Sequence, residues 1–148
     1  MTPSPRCVAI IEAFEGLSLV AAPDQAGVWT NGFGHTVGVD ENTPPITKEQ
    51  AVSQLLADMA EVSQYVTKVV GAVPQYVFDA FCSFAFNIGL AGFRSSTVLR
   101  EHLAGNRSAA IAGFLLWDDI HVNGVLTQDP GLLNRRINEA ALYQGILN

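Results

Sequence analysis

The chain of 148 residues has the length of one domain, and 49% of its residues are hydrophobic, enough for a substantial core. Only 15% are charged, so the composition gives no sign of a disordered chain. The net charge of −6 argues against non-specific binding to nucleic acid. No stretch approaches the roughly 18 apolar residues of a membrane span, and the first residues lack the apolar segment of an export signal. We therefore expect a soluble protein with no stable membrane insertion.

The first predicted helix ends at a carboxyl group. An apolar run from Val8 to Phe14 stops at Glu15, directly before Gly16. Glycine ends helices because it adopts the left-handed conformation without strain. At this end of a helix the dipole disfavours a negative charge, and a carboxyl group that retains its proton can act as a general acid.

A small β-hairpin is predicted after this helix. Asp24 lies in a turn-forming segment, Thr30 follows six residues later, and residues 32–35 have the glycine density of tight turns. Glycoside hydrolysis uses two carboxyl groups, one to protonate the leaving oxygen and one to activate water or stabilise positive charge. The residue types alone also fit a solvated Glu15, a turn-forming Asp and a strand Thr, because Asp in turns is common.

A long amphipathic helix is predicted over residues 47–70, where apolar residues recur at helical spacing. Thr47 and Gln50 form the pattern of a capping box at its start. Asp58 and Glu61 lie among its polar positions, so we expect them on a solvated face.

The next helix, which Pro74 opens, is apolar nearly all round over residues 77–86 and is predicted to occupy the centre of the core. Cys82 in this helix and Cys7 near the start of the chain are expected to be buried thiols. The alternative is a disulfide, if the protein works in an oxidising compartment.

Three helices are predicted in the last third of the chain: 97–103 with Ser95 or Ser96 as its cap, 106–117, and 129–144 beginning at Asp129-Pro130. The expected buried side of the second comprises Ile111, Phe114, Leu115 and Trp117. Residues 118–128 show the least pattern and receive no secondary-structure assignment. The three histidines, His35, His102 and His121, show no metal-ligand spacing, and no metal or cofactor is signalled.

Glu15, Asp24, Thr30 and the following Gly-X-Gly-His-Thr resemble the catalytic signature of the phage lysozymes of glycoside hydrolase family 24, which include the T-even phage enzyme. The family pattern E-G-x-x-L-x-A-Y-x-D-x-x-G-x-x-T-x-G-x-G-H-T matches without a gap. The chain departs from it at Ala22, where the family usually has Tyr, and at Asn31, where it often has Ile. Both departures concern hairpin packing and substrate fit.

Two further segments resemble this family. In the first, FDAFCSFAFNIGLAGFRSST, the residues corresponding to Phe86 and Asn87 line the sugar cleft. The resemblance implies a substrate-binding set of these two and Gly34; the alternative for Asn87 is a C-terminal helix cap before Gly89.

The second segment, PGLLNRR with Glu139, resembles a C-terminal block of the family. In the T-even enzyme an arginine of the C-terminal helices pairs with the catalytic Glu. Arg135 or Arg136 would take that part here, or both are surface charges. His35 is expected to be a structural hydrogen-bonding residue that fixes the hairpin lobe.

The resemblance covers about residues 8–145 and implies an α+β, mostly α, lysozyme-like fold within a single domain, 1–148. A small β-hairpin lobe, about 15–46, and a larger helical lobe, about 71–148 with the N-terminal helix, would flank a cleft. The long helix, about 47–70, would link the two lobes.

The activity implied by the resemblance is hydrolysis of the β-1,4 bond between N-acetylmuramic acid and N-acetylglucosamine in bacterial peptidoglycan. Glu15 would be the general acid, Asp24 the opposite carboxylate, and Thr30 would hold the attacking water. This arrangement implies inversion, with the carboxyl groups about 6.5–9.5 Å apart. Two alternatives remain, a lytic transglycosylase that needs only the Glu and a non-catalytic peptidoglycan-binding protein.

The biological setting implied by the resemblance is phage lysis. The enzyme would be a monomer that stays in the host bacterial cytoplasm until a holin releases it to the periplasmic cell wall. Some members of the family instead carry an N-terminal signal-anchor. The net charge of −6 argues against strong attraction to an anionic wall.

Overall fold

The computed structural model describes residues 1–146, and at residues 120 and 121 it describes the backbone alone. The elements in chain order are α1 (Pro5–Glu15), β1 (Ser18–Pro23), β2 (Trp29–Gly32), α2 (Lys48–Val70), α3 (Gln75–Ile88), α4 (Leu90–Ser95), α5 (Thr97–Leu103), α6 (Arg107–Phe114), a 3₁₀ turn (Leu115–Trp117), β3 (Asp119–Val122), β4 (Val125–Gln128) and α7 (Pro130–Tyr143). The predicted fold class, mostly helical with a small antiparallel hairpin, is confirmed. The predicted domain and its helical lobe extend to residue 148. Residues 147 and 148 lie outside the described residues, as does the side chain of His121.

Local signals position the two helices that flank the first hairpin. At the end of α1, Gly16 has a φ of 70° and its N–H donates to the carbonyl of Glu12. At the start of α2, Thr47 and Gln50 form the predicted capping box, in which each side chain accepts from the backbone N–H of the other residue. The hairpin therefore begins and ends at defined helix termini.

Helix α3 lies at the centre of the core, as its apolar sequence predicts, and it packs against α1, α2, α4 and α7. Its residues Phe78, Phe81 and Phe84 are fully buried. Phe84 contacts the ring of Phe114 at a centroid distance of 5.0 Å and the edge of Trp117 at 6.2 Å. Such tilted and edge-on contacts add to the stabilisation that burial of aromatic rings provides.

Cys7 and Cys82 are free thiols with no exposed surface, so the prediction of buried thiols is confirmed and the alternative of a disulfide is wrong. The Cys7 thiol donates to the carbonyl of Asp79 at 3.5 Å. Burial, followed by the nearby carboxylate of Asp79, raises the pKa of both thiols well above its usual range.

The helices that precede the second hairpin differ in part from the prediction. The predicted helix over 97–103 is present with Ser96 as its cap, but a further short helix, α4, ends at Ser95. In place of the predicted helix over 106–117, the α-helix ends at Phe114 and a 3₁₀ turn follows it. Because the backbone changes its period there, Leu115 turns towards solvent, and its assignment to the buried side is wrong.

Residues 118–128, which received no assignment, form a second antiparallel hairpin in which Asp119 pairs with Gln128 and Val122 with Val125. Its turn is Asn123-Gly124, with φ angles of 51° and 77°. Two central residues with positive φ are the geometry of a type I′ turn, and Asn-Gly is its strongest sequence signal. The carbonyl of Asp118 accepts from the backbone N–H of Asp129, which leads the chain into α7.

The first testable prediction concerns His102, whose ring packs edge-on against Phe81 at 4.9 Å and whose Nδ1 lies 2.8 Å from the hydroxyl of Tyr143. Burial, and secondarily the charge of Arg107, lowers the pKa of His102 below its ordinary value of 6.5. Between the folded and the ordinary pKa the unfolded chain binds more protons than the native chain. The stability contributed by this group is therefore present above pH 6.5 and is lost as the pH falls through the folded pKa.

Urea unfolding at pH 7.5 and pH 5.5 checks this prediction for the wild type and for His102→Gln. We expect the free energy of unfolding to fall more between these pH values in the wild type than in the variant, because the remaining titratable groups are common to both. Equal falls in the two proteins would contradict the assignment.

Candidate functional site

Two adjoining depressions lie beside the C-terminal end of α1. The larger, about 520 Å³, is lined by Glu15, Gly34, Thr36, Asp58, Glu61, Val62, Ala85, Phe86, Asn87, Gly89 and Leu90. The smaller, about 250 Å³, is lined by Glu15, Gly16, Leu17, Ser18, Thr30, Asn31, Gly32 and Gly34. Glu15 and Gly34 belong to both linings. The larger depression thus lies between the segment after the first hairpin, α2 and the end of α3.

Glu15 is held by one arginine of α7. Its side chain is 20% exposed, and Nη1 of Arg135 donates to its Oε1 at 2.6 Å. Arg135 itself is 3% exposed and its guanidinium lies 5.5 Å from the ring centroid of Phe14. Of the two arginines considered from the sequence, Arg135 is therefore the one that contacts Glu15.

Arg136 and Glu139 complete a buried group of charges around Arg135. Glu139 lies between the two arginines, with Oε1 at 3.1 Å from Nε of Arg135 and Oε2 at 2.9 Å from Nε of Arg136. Arg136 has no exposed surface, so the alternative that both arginines are surface charges is wrong. Glu139 was part of the family motif but received no role; the signal that could have indicated one is its spacing of three and four residues from two arginines on one helix.

Burial shifts the pKa values of two charged groups on α7, Glu139 and Arg136. Burial raises the pKa of Glu139, while the charges of Arg136 and Arg135 and the hydrogen bond from Ser83 oppose that rise. Burial lowers the pKa of Arg136, and the charge of Glu139 opposes that fall. The two guanidinium groups that contact Glu139 stabilise its ionised form.

Asn87 lies at the end of α3 and lines the larger depression. Its Oδ1 accepts from Nη2 of Arg136 at 2.8 Å. The helix ends at Ile88, and the N–H of the next residue, Gly89, donates to the carbonyl of Ala85. The side chain of Asn87 thus bonds to the buried arginine, and Gly89 provides the helix cap.

The two other residues of the predicted catalytic set lie on the first hairpin. Asp24 is exposed in the turn, where its Oδ1 accepts from the backbone N–H groups of Ala26 and Val28 at 2.8 and 2.9 Å. Thr30 pairs with Ala22 across the hairpin, and its hydroxyl donates to the carbonyl of Ala22 at 3.4 Å. Thr30 lines the smaller depression with Glu15, whereas Asp24 lies outside the linings of both depressions.

His35 connects the hairpin segment to α2. Its Nδ1 lies 2.7 Å from Oδ2 of Asp58, and its backbone exchanges two hydrogen bonds with Asn31. The expectation that Asp58 belongs simply to a solvated face is wrong, because its side chain is only 26% exposed and pairs with His35. Glu61, one turn further along α2, is exposed and lines the larger depression.

Asn31 occupies an unusual position for an amide side chain. The residue is 1% exposed, and within the described residues neither polar atom of its side chain has a hydrogen-bond partner. A buried polar group without a partner costs about 1–3 kcal/mol. Next to it, Gly32 has a φ of 59°, in the left-handed region that favours glycine. A Cβ at this position would lie 2.7 Å from Oε1 of Gln54 on α2, so the end of that side chain would have to shift.

Among the described side chains, no three His, Cys, Asp or Glu residues are grouped as metal ligands would be. Within residues 1–146, every helix is too short or too polar to cross a membrane.

A family model described as phage lysozyme matches residues 12–139. The chain is 39% identical over 142 residues to an endolysin of Acyrthosiphon pisum secondary endosymbiont phage 1, covering 95% of this chain and 97% of that protein. It resembles the solved endolysin from Escherichia coli O157:H7 phage FAHEc1 with a TM-score of 0.87 and 35% identity, covering 97% and 93% of the two chains. The muramidase domain of SpmX from Asticaccaulis excentricus gives a TM-score of 0.88 and 33% identity, covering 95% of each chain. The chain therefore belongs to the phage lysozyme family, glycoside hydrolases that act on peptidoglycan.

Proposed function

We propose that this protein is an endolysin that hydrolyses the β-1,4 bond between N-acetylmuramic acid and N-acetylglucosamine, with Glu15 as the general acid. The observation that carries the proposal is the position of Glu15, which lines both depressions while one oxygen is bound by Arg135. The choice of bond is supported by the similarity to a domain described as a muramidase.

The two oxygens of Glu15 have different surroundings. Oε1 accepts from Arg135, whereas Oε2 lies 3.3 Å from the place that a Cβ on Gly34 would occupy. Gly34 lines both depressions and has no side chain to cover this oxygen. Oε2 is therefore the oxygen that would carry the proton and deliver it to the glycosidic oxygen of a bound sugar chain.

Asp24 and Thr30 would act on the attacking water. Both hydrogen bonds described for Asp24 use Oδ1, which leaves Oδ2 to accept a hydrogen bond from water. The Thr30 hydroxyl lies in the same depression as Glu15, where it can hold the water. Attack from the face opposite the leaving oxygen inverts the anomeric carbon, the outcome expected when water lies between the two carboxyl groups.

Phe86 and Asn87 would contact the sugars from the helical side of the larger depression. Oδ1 of Asn87 accepts from Arg136, and the amide NH₂ remains to donate to a ligand. A donor of this kind suits the acetamido carbonyl of an amino sugar. Phe86 offers an apolar surface for the carbon face of a sugar ring.

The proposed setting is phage lysis of a bacterial host. The enzyme would act as a monomer, remain in the host bacterial cytoplasm until a holin opens the membrane, and then degrade the periplasmic wall, causing lysis. Support for this sequence of events comes from similarity to phage endolysins alone.

The second testable prediction concerns Glu15→Gln, which removes the proposed proton donor but keeps an oxygen for Arg135. We expect clearing of outer-membrane-permeabilised Gram-negative cells to slow by about 10²–10⁴-fold. Glu12→Gln, one turn earlier on α1, is the matched control and should retain wild-type clearing.

Equal clearing by the wild type and Glu15→Gln would contradict the proposed acid. Failure of the wild type to clear would favour a non-catalytic peptidoglycan-binding protein. Product analysis then separates the reactions, because hydrolysis leaves a reducing N-acetylmuramic acid end and a lytic transglycosylase leaves an anhydro end.

The third prediction concerns Asp24→Asn. The Asn oxygen can still accept from Ala26 and Val28, so the turn is retained while the charge is lost. We expect the clearing rate to fall by about 10²-fold or more, because a neutral amide activates water poorly. Asp40→Asn is the control, since Oδ1 of Asp40 likewise accepts a backbone N–H, from Asn42. Similar rates for these two variants would exclude a catalytic role for Asp24.

The fourth prediction compares Gly34→Ala with Gly38→Ala. Both glycines have positive φ, 76° and 72°, so both substitutions introduce a backbone strain of about 1–2 kcal/mol. Only the Cβ at Gly34 contacts Oε2 of Glu15; at Gly38 there is open space. We expect similar losses in melting temperature but an additional loss of about 10²-fold in the clearing rate for Gly34→Ala. Equal rates would show that Gly34 does not keep Oε2 accessible.

A further inference from the structure

We propose that Glu139 is a positioning residue for the reaction, one buried carboxylate that orients both the arginine on the general acid and the arginine on the sugar-binding amide. The inference rests on the proposed function, in which Glu15 donates the proton and Asn87 contacts the sugar.

Glu139 lies at the centre of the buried charges on α7. The residue is 1% exposed. Its Oε1 accepts from the Ser83 hydroxyl at 2.6 Å, from Nε of Arg135 at 3.1 Å and from Nη2 of Arg136 at 3.3 Å. Its Oε2 lies 2.9 Å from Nε of Arg136. One carboxylate therefore binds both arginines and is itself fixed to α3 through Ser83.

The first connection leads to Glu15 through Arg135. Nε of Arg135 donates to Glu139 and Nη2 donates to the carbonyl of Ser83 at 3.1 Å. A guanidinium is planar, so fixing two of its nitrogens also fixes the direction of the third. That third nitrogen, Nη1, is the one that donates to Oε1 of Glu15. The orientation of the acid thus depends on a residue that does not touch it.

The second connection leads to Asn87 through Arg136. Nε of Arg136 pairs with Glu139, its guanidinium lies 5.0 Å from the ring centroid of Phe84, and its Nη2 donates to Oδ1 of Asn87. These contacts bind the amide oxygen of Asn87 to Arg136 and leave its NH₂ to donate to a sugar. Loss of Glu139 would therefore disturb substrate binding as well as proton transfer.

Charge compensation gives Glu139 a second effect on the acid. Arg135 and Arg136 carry two positive charges, and Glu15 and Glu139 carry two negative charges when both are ionised. Replacing Glu139 by a neutral side chain leaves one positive charge uncompensated, which favours the ionised form of Glu15. A general acid is active only while it carries its proton. If it loses the proton more readily, activity on the alkaline side is therefore lost at a lower pH.

The other charged groups near Glu15 stay unchanged in such a variant. Asp58 and Glu61 of α2 line the larger depression, and His35 pairs with Asp58 from the hairpin segment. A shift in the pH dependence of the variant can therefore be attributed to the charge at position 139.

The fifth prediction concerns Glu139→Gln, with kcat, KM and their pH profiles measured on purified Gram-negative peptidoglycan. We expect kcat/KM at pH 7 to fall about 10-fold or more, the alkaline limb of the kcat profile to move to lower pH, and KM to rise. Glu101→Gln is the control, because it breaks an exposed ion pair with Arg100 on the helical lobe. This control should keep wild-type kinetics.

Ser83→Ala serves as a second variant, since removing a buried charge can prevent folding, which circular dichroism and thermal melting will show. It keeps every charge but removes the hydrogen bond that fixes Oε1 of Glu139. We expect a lower kcat/KM with the alkaline limb unmoved. If Glu139→Gln does not fold, wild-type kinetics in Ser83→Ala overturn the proposal.

A folded Glu139→Gln with the wild-type pH profile and KM also overturns the proposal, because a purely structural residue would lower only the amount of folded enzyme. Failure of the proposed function gives a different result. In that case Glu15→Gln clears cells like the wild type, whatever the Glu139 variants do.

Discussion

Arg135 joins the last helix of the chain to the carboxyl group at the end of the first helix, 120 residues away. The two side chains meet because α1 and α7 both pack against α3. Burying a guanidinium is costly unless its charge and its hydrogen bonds are satisfied, and here Glu15, Glu139 and the carbonyl of Ser83 satisfy them. The position of Glu15 therefore depends on complete assembly of the helical part of the chain.

The opposite side of the cleft depends on a different set of contacts. His35 pairs with Asp58 of α2, and its backbone pairs with Asn31, so the segment carrying Gly34 is held against the long helix. Gly32, with a φ of 59°, lies against Ala51 and Gln54 of the same helix. Helix α2 contacts both β2 and α3, and it therefore fixes the position of the hairpin segment relative to α3.

Much of the fold was predictable because its signals are local. Gly16 and the capping box at Thr47 set helix ends through interactions within a few residues, and these predictions are confirmed. The Asn123-Gly124 turn is equally local, yet the second hairpin was missed, because the exposed residues of β4 give no alternation of apolar and polar residues.

The surroundings of the site were less predictable. The family motif indicated Glu15 and an arginine partner, but Arg135 and Arg136 are neighbours, and only the rotation of α7 against α3 decides which one reaches Glu15. The pairing of Asp58 with His35 likewise joins residues 23 positions apart, and a helical pattern alone cannot show it. Roles for Asp24 and Thr30 remain predictions from the motif.

The two buried cysteines have a consequence for where this fold can persist. Thiol–disulfide exchange requires a thiolate that is accessible to its partner. Cys7 and Cys82 have no exposed surface, and burial raises the pKa of both, so neither supplies an accessible thiolate in the folded state. Because Cys7 and Cys82 are free thiols in the folded state, the native structure does not require an oxidising environment in order to form.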